Sequence, residues 1–311
     1  MILCIGDLAV DVIVRLRRDD IDPTSDTPAE ISQHRGGSAA NVAAVSARLG
    51  RRARFAGVVA DDEPGRWLRQ RMEALQVEID SIPGARSTTI VVLVDSAGQR
   101  CFLTDSGEYG KWPQLSPSLL DGVSRLYFTG YALCDSRSTA ACLDLAAMAN
   151  ARGIPIAVDP SSVSVVAEFG VDQFVRMMAK ISPSILLPNW EESCQLEAVM
   201  TSHPELRWVP PLTVTTCGTE PAVARWADGT EISAPAPEVG VIDTTGAGDA
   251  FSGGFLAALD RHPGMNRRTP TIEAVVAAME SGHSAAARVV SGASGDYWSE
   301  TASGISKGRY T

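Results

Sequence analysis

The chain has 311 residues, of which 45% are hydrophobic and 21% are charged, and its formal net charge is −10. This balance is typical of a globular protein and excludes a disordered one, and the length is enough for one large α/β domain or two ordinary ones. The excess of acidic residues argues against nucleic acid or an anionic membrane as the main partner, because phosphate groups are bound mostly through Lys and Arg.

The spacing of the cysteines and the hydropathy of the sequence indicate the cellular compartment of the protein. The six cysteines, at positions 4, 101, 134, 142, 194 and 217, form no CxxC pair and no zinc-ligand spacing, so we expect reduced thiols. No apolar run approaches the ~20 residues of a membrane helix, and the first residues lack the pattern of a signal peptide. We therefore expect a cytoplasmic protein with no membrane partner.

Two acids follow the first predicted strand. Met1 to Ile5 is a short apolar run typical of a buried parallel strand, and Asp7 and Asp11 come after it. Ligands of open α/β sheets bind at the carboxyl ends of the strands, so both acids are candidates for holding a polar substrate. The alternative is that they are solvated turn residues, which fits Asp11 less well because it lies among aliphatic residues.

A glycine pair opens the first predicted helix. Gly36 and Gly37 allow the backbone to approach a ligand closely, and the small residues that follow begin a tightly packed helix that ends near Gly50. Asn41 lies inside this helix among alanines, where its amide needs a polar partner. We expect a substrate hydroxyl to be one such partner.

The next segments predict a strand at 54–59, a helix at 63–75, a second strand at 77–82 and a β-hairpin at 88–104. The hairpin turn, Asp95-Ser96-Ala97-Gly98, interrupts the alternation of strand and helix. Residues 15–30 are charged and contain proline, which is typical of an exposed excursion. Together, segments 12–34 and 88–106 are predicted to form a small β lid over the sheet edge.

The second half of the chain alternates short apolar strands with helices, which predicts a mostly parallel sheet covered by helices on both faces. The predicted strands lie at 125–129, 154–159, 184–187 and 212–216, with a further hairpin at 222–233 and helices at about 247–261 and 271–290. The tail from Ser291 is rich in Ser, Gly and Thr, and we expect little regular structure there. We interpret residues 1–311 as one domain.

One predicted helix begins with Pro188-Asn189-Trp190-Glu191-Glu192. Asn189 and Glu192 are three residues apart and therefore share a helix face. An acid at this edge of the sheet is suited to holding Mg²⁺, usually through water. Equally, Glu192 is suited to the first turn of the helix, and the residues alone do not decide between the two interpretations.

The segment Asp243-Thr244-Thr245-Gly246-Ala247-Gly248-Asp249 leads directly into an apolar helix. A turn of this kind exposes backbone N–H groups at the positive end of the helix, which together make a seat for a phosphate. Asp249 stands where the loop becomes the helix and is placed to take a proton from an attacking hydroxyl. The alternative is that Asp249 only complements the helix dipole and that the glycines only form a tight turn.

These motifs together resemble the two signatures of the ribokinase-like (PfkB) carbohydrate kinase family, carried here by residues 36–41 and 243–249. The segment from Asn189 to Glu192 looks like the NxxE motif of that family, and Gly6-Asp7 with Asp11 looks like its opening strand and substrate-contacting acid. The similarity runs from Ile2 to about Val290. It implies an α/β fold, a Rossmann-like three-layer sandwich with a mostly parallel central sheet flanked by helices, plus a small β-sheet lid.

The resemblance also implies direct transfer of the γ-phosphoryl group of MgATP to a hydroxymethyl group of a carbohydrate. Asp249 would be the general base, with no need for a raised pKa because the ionised form is the one required. The lids would close over the substrate, and some members dimerise through them. The other implied roles are an anion hole (Gly246, Ala247, Gly248), substrate binding (Asp7, Asp11, Gly37, Asn41), nucleotide binding (Asn189, Thr216, Gly218), magnesium held through water (Glu192) and a monovalent cation such as K⁺ (Asp243, Thr245).

Departures from the family pattern leave the substrate open. Ser38 stands where ribokinases proper usually carry Lys, and Ala9 where they often carry Asn. Pro221 replaces the second glycine of the Gly-x-x-Gly turn and puts the conformation of the nucleotide loop in question. We favour a free sugar, and an adenosine-like nucleoside kinase is the alternative because the GGSAAN form looks closer to some nucleoside kinases.

Other substrates and one other class of function rank lower. Sugar phosphates rank below free sugars because Arg35 and Arg100 read as isolated basic residues near the lid. A vitamin precursor is a further substrate class within this fold. A non-catalytic protein that binds a sugar or nucleotide is the rival from another class, and the presence of Asp249 argues against it.

Overall fold

Short apolar strands form the centre of the protein, in a computed structural model that describes residues 1–18, 21, 23–96, 98–261 and 269–292. The strands of the described chain, numbered in order, are β1 (Ile2–Ile5), β2 (Ala9–Leu16), β3 (Ala29–Gly36), β4 (Ala53–Ala60), β5 (Val77–Gly84), β6 (Thr88–Val94), β7 (Arg100–Asp105), β8 (Arg125–Thr129), β9 (Ile156–Asp159), β10 (Ile185–Leu186), β11 (Leu212–Cys217), β12 (Glu220–Trp226) and β13 (Glu231–Ala234).

Nine of these strands form one sheet, in the order β13-β12-β11-β10-β9-β8-β1-β4-β5. The seven strands from β11 to β5 pair in parallel, and β12 and β13 add an antiparallel edge. β1, β8 and β9 are buried throughout, which is why their sequences read as continuous apolar runs. The predicted sheet and the predicted hairpin at its edge are confirmed.

Helices cover both faces of this sheet, as predicted. They are α1 (Ser38–Arg48), α2 (Glu63–Ala74), α3 (Gly130–Cys134), α4 (Thr139–Ala151), α5 (Val163–Phe169), α6 (Val171–Ile181), α7 (Trp190–Ser202), α8 (Ala247–Leu259) and α9 (Ile272–Ser291). One core cluster joins α1, α2, α8 and α9 to the sheet, and a second joins α3 to α7 to its other face. None of the helices in the described ranges has the length and apolar character needed to cross a membrane.

The C-terminal tail begins later than predicted. Ser291 is the last residue of α9, and its hydroxyl donates a hydrogen bond to the carbonyl of Ala287 within the helix. Residues 293–311, to which the prediction of an irregular tail mainly refers, lie outside the described residues.

The remaining four strands form a smaller sheet, in the order β3-β2-β6-β7. β2 pairs antiparallel with β3 and parallel with β6, and β6 and β7 form the predicted hairpin. The region predicted as an exposed excursion is shorter than expected, since β2 runs to Leu16 and β3 begins at Ala29. Asp11 lies within β2 and not at the carboxyl end of β1, because the chain turns at residues 6–8 into the smaller sheet.

Helix α8 lies between α1 and α9, and glycines permit this close packing. A Cβ atom added at Gly253 would lie 2.7 Å from the Cβ of Val45 and 3.0 Å from the carbonyl oxygen of Val42, both in α1. A Cβ at Gly254 would lie 2.7 Å from the carbonyl oxygen of Ser281 in α9. The two glycines therefore allow α8 to pack close to α1 and α9, and this packing fixes the position of its N-terminus.

We predict that Gly253→Ala lowers the free energy of unfolding by about 1–3 kcal/mol, because the added methyl group overpacks the contact between α1 and α8. Urea denaturation measures the change. Gly248→Ala is the matched control in the same helix, since a Cβ there meets nothing within 4 Å. It should be neutral or stabilising by up to about 1 kcal/mol. Equal unfolding free energies for the two variants would contradict this account of the packing.

Candidate active site

The N-terminus of α8 presents backbone donors to an open space. Its N-cap, Gly246, has φ +76°, a left-handed conformation that favours glycine. Within the described chain the N–H groups of Gly246 and Gly248 have no hydrogen-bond partner, whereas that of Ala247 donates to the carbonyl of Thr244 at 3.2 Å. Nothing lies within 4 Å of where a Cβ of Gly248 would be. Free donors at the positive end of a helix suit an anion.

Asp249, the third residue of α8, is held by a chain of side-chain hydrogen bonds. The Asn41 amide donates to its Oδ2 at 2.8 Å, and the Arg35 guanidinium donates to the Asn41 Oδ1 at 3.0 Å. Asn41 and Arg35 are both buried. Protein groups thus satisfy both ends of the Asn41 amide, and substrate binding by Asn41 stays a prediction. The importance of Arg35 in this chain was not evident from the sequence.

The pKa of Asp249 is raised, although the proposed role of a base does not require it. Burial raises it to about 7; the hydrogen bond from Asn41 lowers it, and the charges of Asp159 and Asp7 raise it further. The resemblance implied that no raised pKa was needed, but several carboxylates surround the same helix end. The ionised form of Asp249 therefore becomes the main one only above a pH of about 7.

Asp7 and Gly37 shape the start of α1. The Asp7 Oδ2 accepts a hydrogen bond from the Ser38 N–H at 2.9 Å, which satisfies one of the free donors of that helix. Gly37 has φ +96°, and a Cβ there would lie 2.5 Å from the Asp7 carbonyl oxygen, so glycine is required. In the structure Asp7 anchors α1, and a substrate contact by Asp7 or Gly37 stays a prediction.

Asp11 lines the site, with its carboxylate packed against Gly36. Its carboxylate occupies the space that a side chain at position 36 would take, since a Cβ at Gly36 would lie 2.2 Å from the Asp11 Oδ2. The Asp11 Oδ1 is buried and has no hydrogen-bond partner in the described ranges. Burial raises the pKa of Asp11 to about 7, against the opposing charge of Arg35. A ligand hydroxyl would satisfy this oxygen.

A pocket lies between the smaller sheet and the N-terminus of α8. Three aliphatic side chains of the smaller sheet, Ile13, Val92 and Val94, form part of its wall. Arg35 and Arg100 line it as well, so the interpretation of these two residues as isolated is wrong. Its other lining residues are polar, apart from one glycine: Asp11, His34, Asn41, Asp243, Thr245 and Gly246.

Asp243 and Thr245 meet an arginine of the smaller sheet. The Arg100 guanidinium forms an ion pair with the Asp243 carboxylate at 2.6 Å and donates to the Thr245 hydroxyl at 2.5 Å. The Asp243 Oδ1 also accepts the Thr245 N–H at 2.7 Å. This donor set does not fit the predicted monovalent cation, because a guanidinium already engages the oxygens that would bind it.

The residues predicted to bind nucleotide and magnesium lie at the carboxyl ends of β10 and β11. Asn189 is the N-cap of α7 and forms a reciprocal capping box with Glu192, each side chain accepting the other's backbone N–H at 2.9 Å. The Thr216 N–H donates to the carbonyl of Pro188 at 3.0 Å, which places Thr216 beside Asn189. Gly218 follows in a turn with φ +64° and open space around it.

The hairpin of β11 and β12 accommodates Pro221. This residue lies in β12, where the register with β11 shifts so that Pro221 and Ala222 together face Thr216 alone, which is a bulge in the strand that carries Pro221. Proline lacks a backbone donor and is tolerated at bulges and edges. The hairpin is therefore formed with Pro221 in place.

Asp159 is a buried acid that the sequence interpretation did not single out. It ends β9, and its Oδ2 accepts hydrogen bonds from the Tyr127 hydroxyl at 3.3 Å and the Ser252 hydroxyl at 3.2 Å. Burial, followed by the charge of Glu192, raises its pKa. Asp159 is thus hydrogen-bonded to α8 through Ser252, and its charge interacts with that of Glu192. Its place at the end of a buried parallel strand was the signal that would have identified it.

Glu192 and Asp159 fit a magnesium ion whose other ligands are water molecules and the phosphates of the substrate. Glu192 is only 2% exposed, and burial raises its pKa. No cluster of three or more metal-ligating side chains occurs among the residues described. Magnesium in phosphoryl-transfer sites usually keeps several waters and is bound through one or two carboxylates plus the phosphates of the substrate. Glu192 and Asp159 are suited to that limited role.

Comparison with known proteins shows what this chain resembles. A family model described as pfkB family carbohydrate kinase matches residues 1–301. Aminoimidazole riboside kinase of Salmonella typhimurium strain LT2 is 31% identical over 238 residues, 73% of this chain and 74% of that protein. A fructokinase of Klebsiella pneumoniae is 30% identical, covering 78% of this chain and 82% of that protein.

A solved structure gives the same result for the fold. The crystal structure of aminoimidazole riboside kinase from Salmonella enterica, complexed with aminoimidazole riboside and an ATP analogue, superposes with a TM-score of 0.70 at 25% identity. The superposition covers 94% of both chains. The predicted ribokinase-like fold is thereby confirmed.

We predict that the free energy of unfolding falls as pH rises from about 4 to 7. The folded pKa of Asp11, about 7, lies above its usual value of 3.8, so within this window the folded chain binds more protons than the unfolded chain. Asp11→Asn should flatten the slope by up to ~1.4 kcal/mol per pH unit. Urea denaturation at several pH values measures it.

Asp228→Asn is the control for this prediction. Hydrogen bonding by Thr230 lowers the pKa of Asp228 below its usual value, so that carboxyl group is ionised between pH 5 and 7 in the folded and the unfolded chain. Its substitution should leave the slope between pH 5 and 7 as it is in the unaltered chain. An Asp11→Asn variant with an unchanged slope would show that Asp11 does not titrate there.

Proposed function

The chain belongs to the pfkB family of carbohydrate kinases, and from this membership we propose that it transfers the γ-phosphoryl group of ATP to a hydroxymethyl group of a sugar. It is a phosphotransferase with an alcohol acceptor, in a family whose members act on sugars or nucleosides. The observation that carries the proposal is the position of Asp249. Its carboxylate is fixed by Asn41 beside free N–H donors at the end of α8.

In the proposed mechanism Asp249 acts as the general base. It accepts the proton of the attacking hydroxyl while that oxygen forms its bond to the γ-phosphorus and the bond to the β–γ bridging oxygen breaks. The N–H groups of Gly246, Ala247 and Gly248 stabilise the negative charge on the transferring group. For Ala247 this requires exchange of its hydrogen bond to Thr244. No covalent enzyme intermediate is formed.

The acceptor binds in the pocket between the smaller sheet and α8. Asp11, with its unsatisfied oxygen, and Asn41 bind sugar hydroxyls, while Gly37 and Asp7 shape the floor. A free sugar remains the favoured substrate. The aliphatic wall favours a riboside as the second candidate, because a base attached to the sugar would pack against the wall. The 31% identity to a riboside kinase supports the same alternative.

The residues for ATP and magnesium lie on the other side of the site. Asn189, Thr216 and Gly218 would contact the nucleotide, and Glu192 would hold magnesium through water, with the charge of Asp159 near that of Glu192. Bound magnesium neutralises charge on the β- and γ-phosphates. The capping box fixes the orientation of Glu192, so the acid is presented without rearrangement.

The smaller sheet serves as the lid in this proposal, with residues 1–311 forming one kinase domain and lid segments at 12–34 and 88–106. Closure excludes water that would otherwise hydrolyse ATP. On the face away from the pocket the sheet exposes two large apolar residues, Ile31 and Leu103. A second copy of the chain is the partner that would cover them, in a dimer formed through the lids.

We predict that Asp249→Asn lowers kcat by roughly 10²–10⁴-fold, because the variant keeps the shape of the base but not its proton affinity. The assay is ADP release from MgATP across pentoses, hexoses, sugar acids and nucleosides. Turnover should be confined to one class of acceptor. For the unaltered chain kcat/KM should rise with pH through about 7, as Asp249 loses its proton.

Asp144→Asn, in an exposed position of α4, is the control and should retain full turnover. If the unaltered chain turns over no compound in the panel, or if Asp249→Asn turns over as fast as the unaltered chain, the proposed base is wrong. A protein that binds sugar or nucleotide without turnover would then be the better description.

We predict that Glu192→Gln raises the Mg²⁺ concentration needed for half-maximal rate by roughly tenfold. Glutamine still accepts the Asn189 N–H, so the capping box is kept while the charge is lost. Glu191→Gln removes a neighbouring charge from the same helix turn and should leave the Mg²⁺ requirement unchanged. A common shift in both variants would indicate a general charge effect and not a magnesium site.

A further inference from the structure

Asp243 is a buried carboxylate whose charge must be compensated. Its side chain is 3% exposed, and burying an unpaired carboxylate is costly. Among the described residues two guanidinium groups face it, that of Arg100 at 2.6 Å and that of Arg15 at 3.6 Å. The Thr245 N–H is the third group bound to it. The main compensating charge is thus supplied by the protein itself.

One guanidinium contacts side chains of three consecutive residues. Besides Asp243, Arg100 donates to the Thr245 hydroxyl at 2.5 Å and reaches the Thr244 hydroxyl at 3.5 Å. Carboxylate and hydroxyl oxygens are ligands that hard cations prefer. The Arg100 guanidinium therefore lies where such a cation would be bound, and it carries the same charge.

Arg15 and Arg100 lie at the same register position of the smaller sheet, and both side chains extend to the loop at residues 243–245. Arg15 of β2 is paired with Val94 of β6, and Val94 is paired with Arg100 of β7. Residues opposite one another on neighbouring strands share a face of the sheet. The three therefore form one row, with Val94 buried between the arginines. The row faces Asp243.

The loop that Arg100 engages leads into the anion hole. Thr245 directly precedes Gly246, the left-handed N-cap of α8. On its other side the loop is tied to α9, where the Ile242 N–H donates to the Val290 carbonyl at 2.7 Å. A charge held at residues 243–245 thus fixes the backbone whose N–H groups face the open space.

We propose that Arg100 is a positioning residue whose guanidinium replaces a monovalent cation at residues 243–245, so that the enzyme works without K⁺. The inference rests on the proposed function, in which Gly246 and Gly248 stabilise the transferring phosphoryl group. Because Arg100 belongs to the smaller sheet, the anion hole is completed only while that sheet is closed on the site.

The test compares two substitutions of Arg100 that differ in charge. Arg100→Gln keeps length and an N–H donor but removes the charge, whereas Arg100→Lys keeps the charge. Turnover is measured in potassium chloride and, at equal ionic strength, in tetramethylammonium chloride, whose cation is too large for the loop. Thermal unfolding in the same two salts is a readout that needs no substrate. Arg86→Ala, which removes an exposed ion pair of the lid region with Asp105, is the control.

The unaltered chain, Arg100→Lys and Arg86→Ala should show less than twofold difference between the two salts. Arg100→Gln should lose at least about tenfold in kcat in tetramethylammonium, because small misplacements of catalytic groups are costly, and should regain most of it in potassium. Its melting temperature should rise in potassium, while that of the unaltered chain does not.

Three results would overturn the proposal: strong activation of the unaltered chain by potassium, full activity of Arg100→Gln without potassium, or loss of activity that potassium does not restore. The last would mean that Arg100 acts on the phosphoryl group directly. Absence of turnover in the unaltered chain would refute the proposed function, whereas a potassium-dependent melting temperature confined to Arg100→Gln would still support the role of Arg100.

Discussion

Negative charge buried around the N-terminus of α8 is the constraint on which the site depends. Asp249 and Asp11 both have pKa values raised to about 7 by burial, and Asp243 is buried beside them. Desolvated carboxylates destabilise a fold unless positive groups face them. Here the helix end, Arg35 and Arg100 supply the compensation. The groups that offset the cost of burying these carboxylates also fix their orientation. The stability of the fold and the proposed chemistry therefore depend on the same contacts.

The site is assembled from two sheets, and this division has mechanical consequences. Asp249 and Asn41 come from α8 and α1, which pack closely through Gly253, while Asp11 and Arg100 belong to the smaller sheet. Arg35 of β3 also belongs to the smaller sheet and donates to Asn41, so the smaller sheet contributes both to the pocket wall and to the hydrogen bonds that hold the base. In the proposed kinase, closure and the completion of the anion hole are then one event.

Much of the fold and part of the site were predictable from local patterns. The apolar runs of β1, β8 and β9 indicate buried parallel strands, and Gly37 and Gly246 mark helix starts because their positive φ favours glycine. Arg35 and Arg100 were misjudged as isolated, since pairing between distant strands brings them to one pocket. Asp159 was missed although it ends a buried parallel strand, and its hydrogen bonds to Tyr127 and Ser252 follow only from the tertiary structure.

The sequence by itself determined the layered α/β class, the helix that begins at Gly246, and Asp249 as the candidate base, because periodicity, glycine and capping act over a few residues. The tertiary structure alone decided that Asn41 holds Asp249 across 208 residues of chain, that Asp249 has a raised pKa, and that Arg100 engages Asp243. Hydrogen bonds and desolvation depend on which groups are neighbours in space, and that proximity is fixed only when α1, α8 and the smaller sheet pack together.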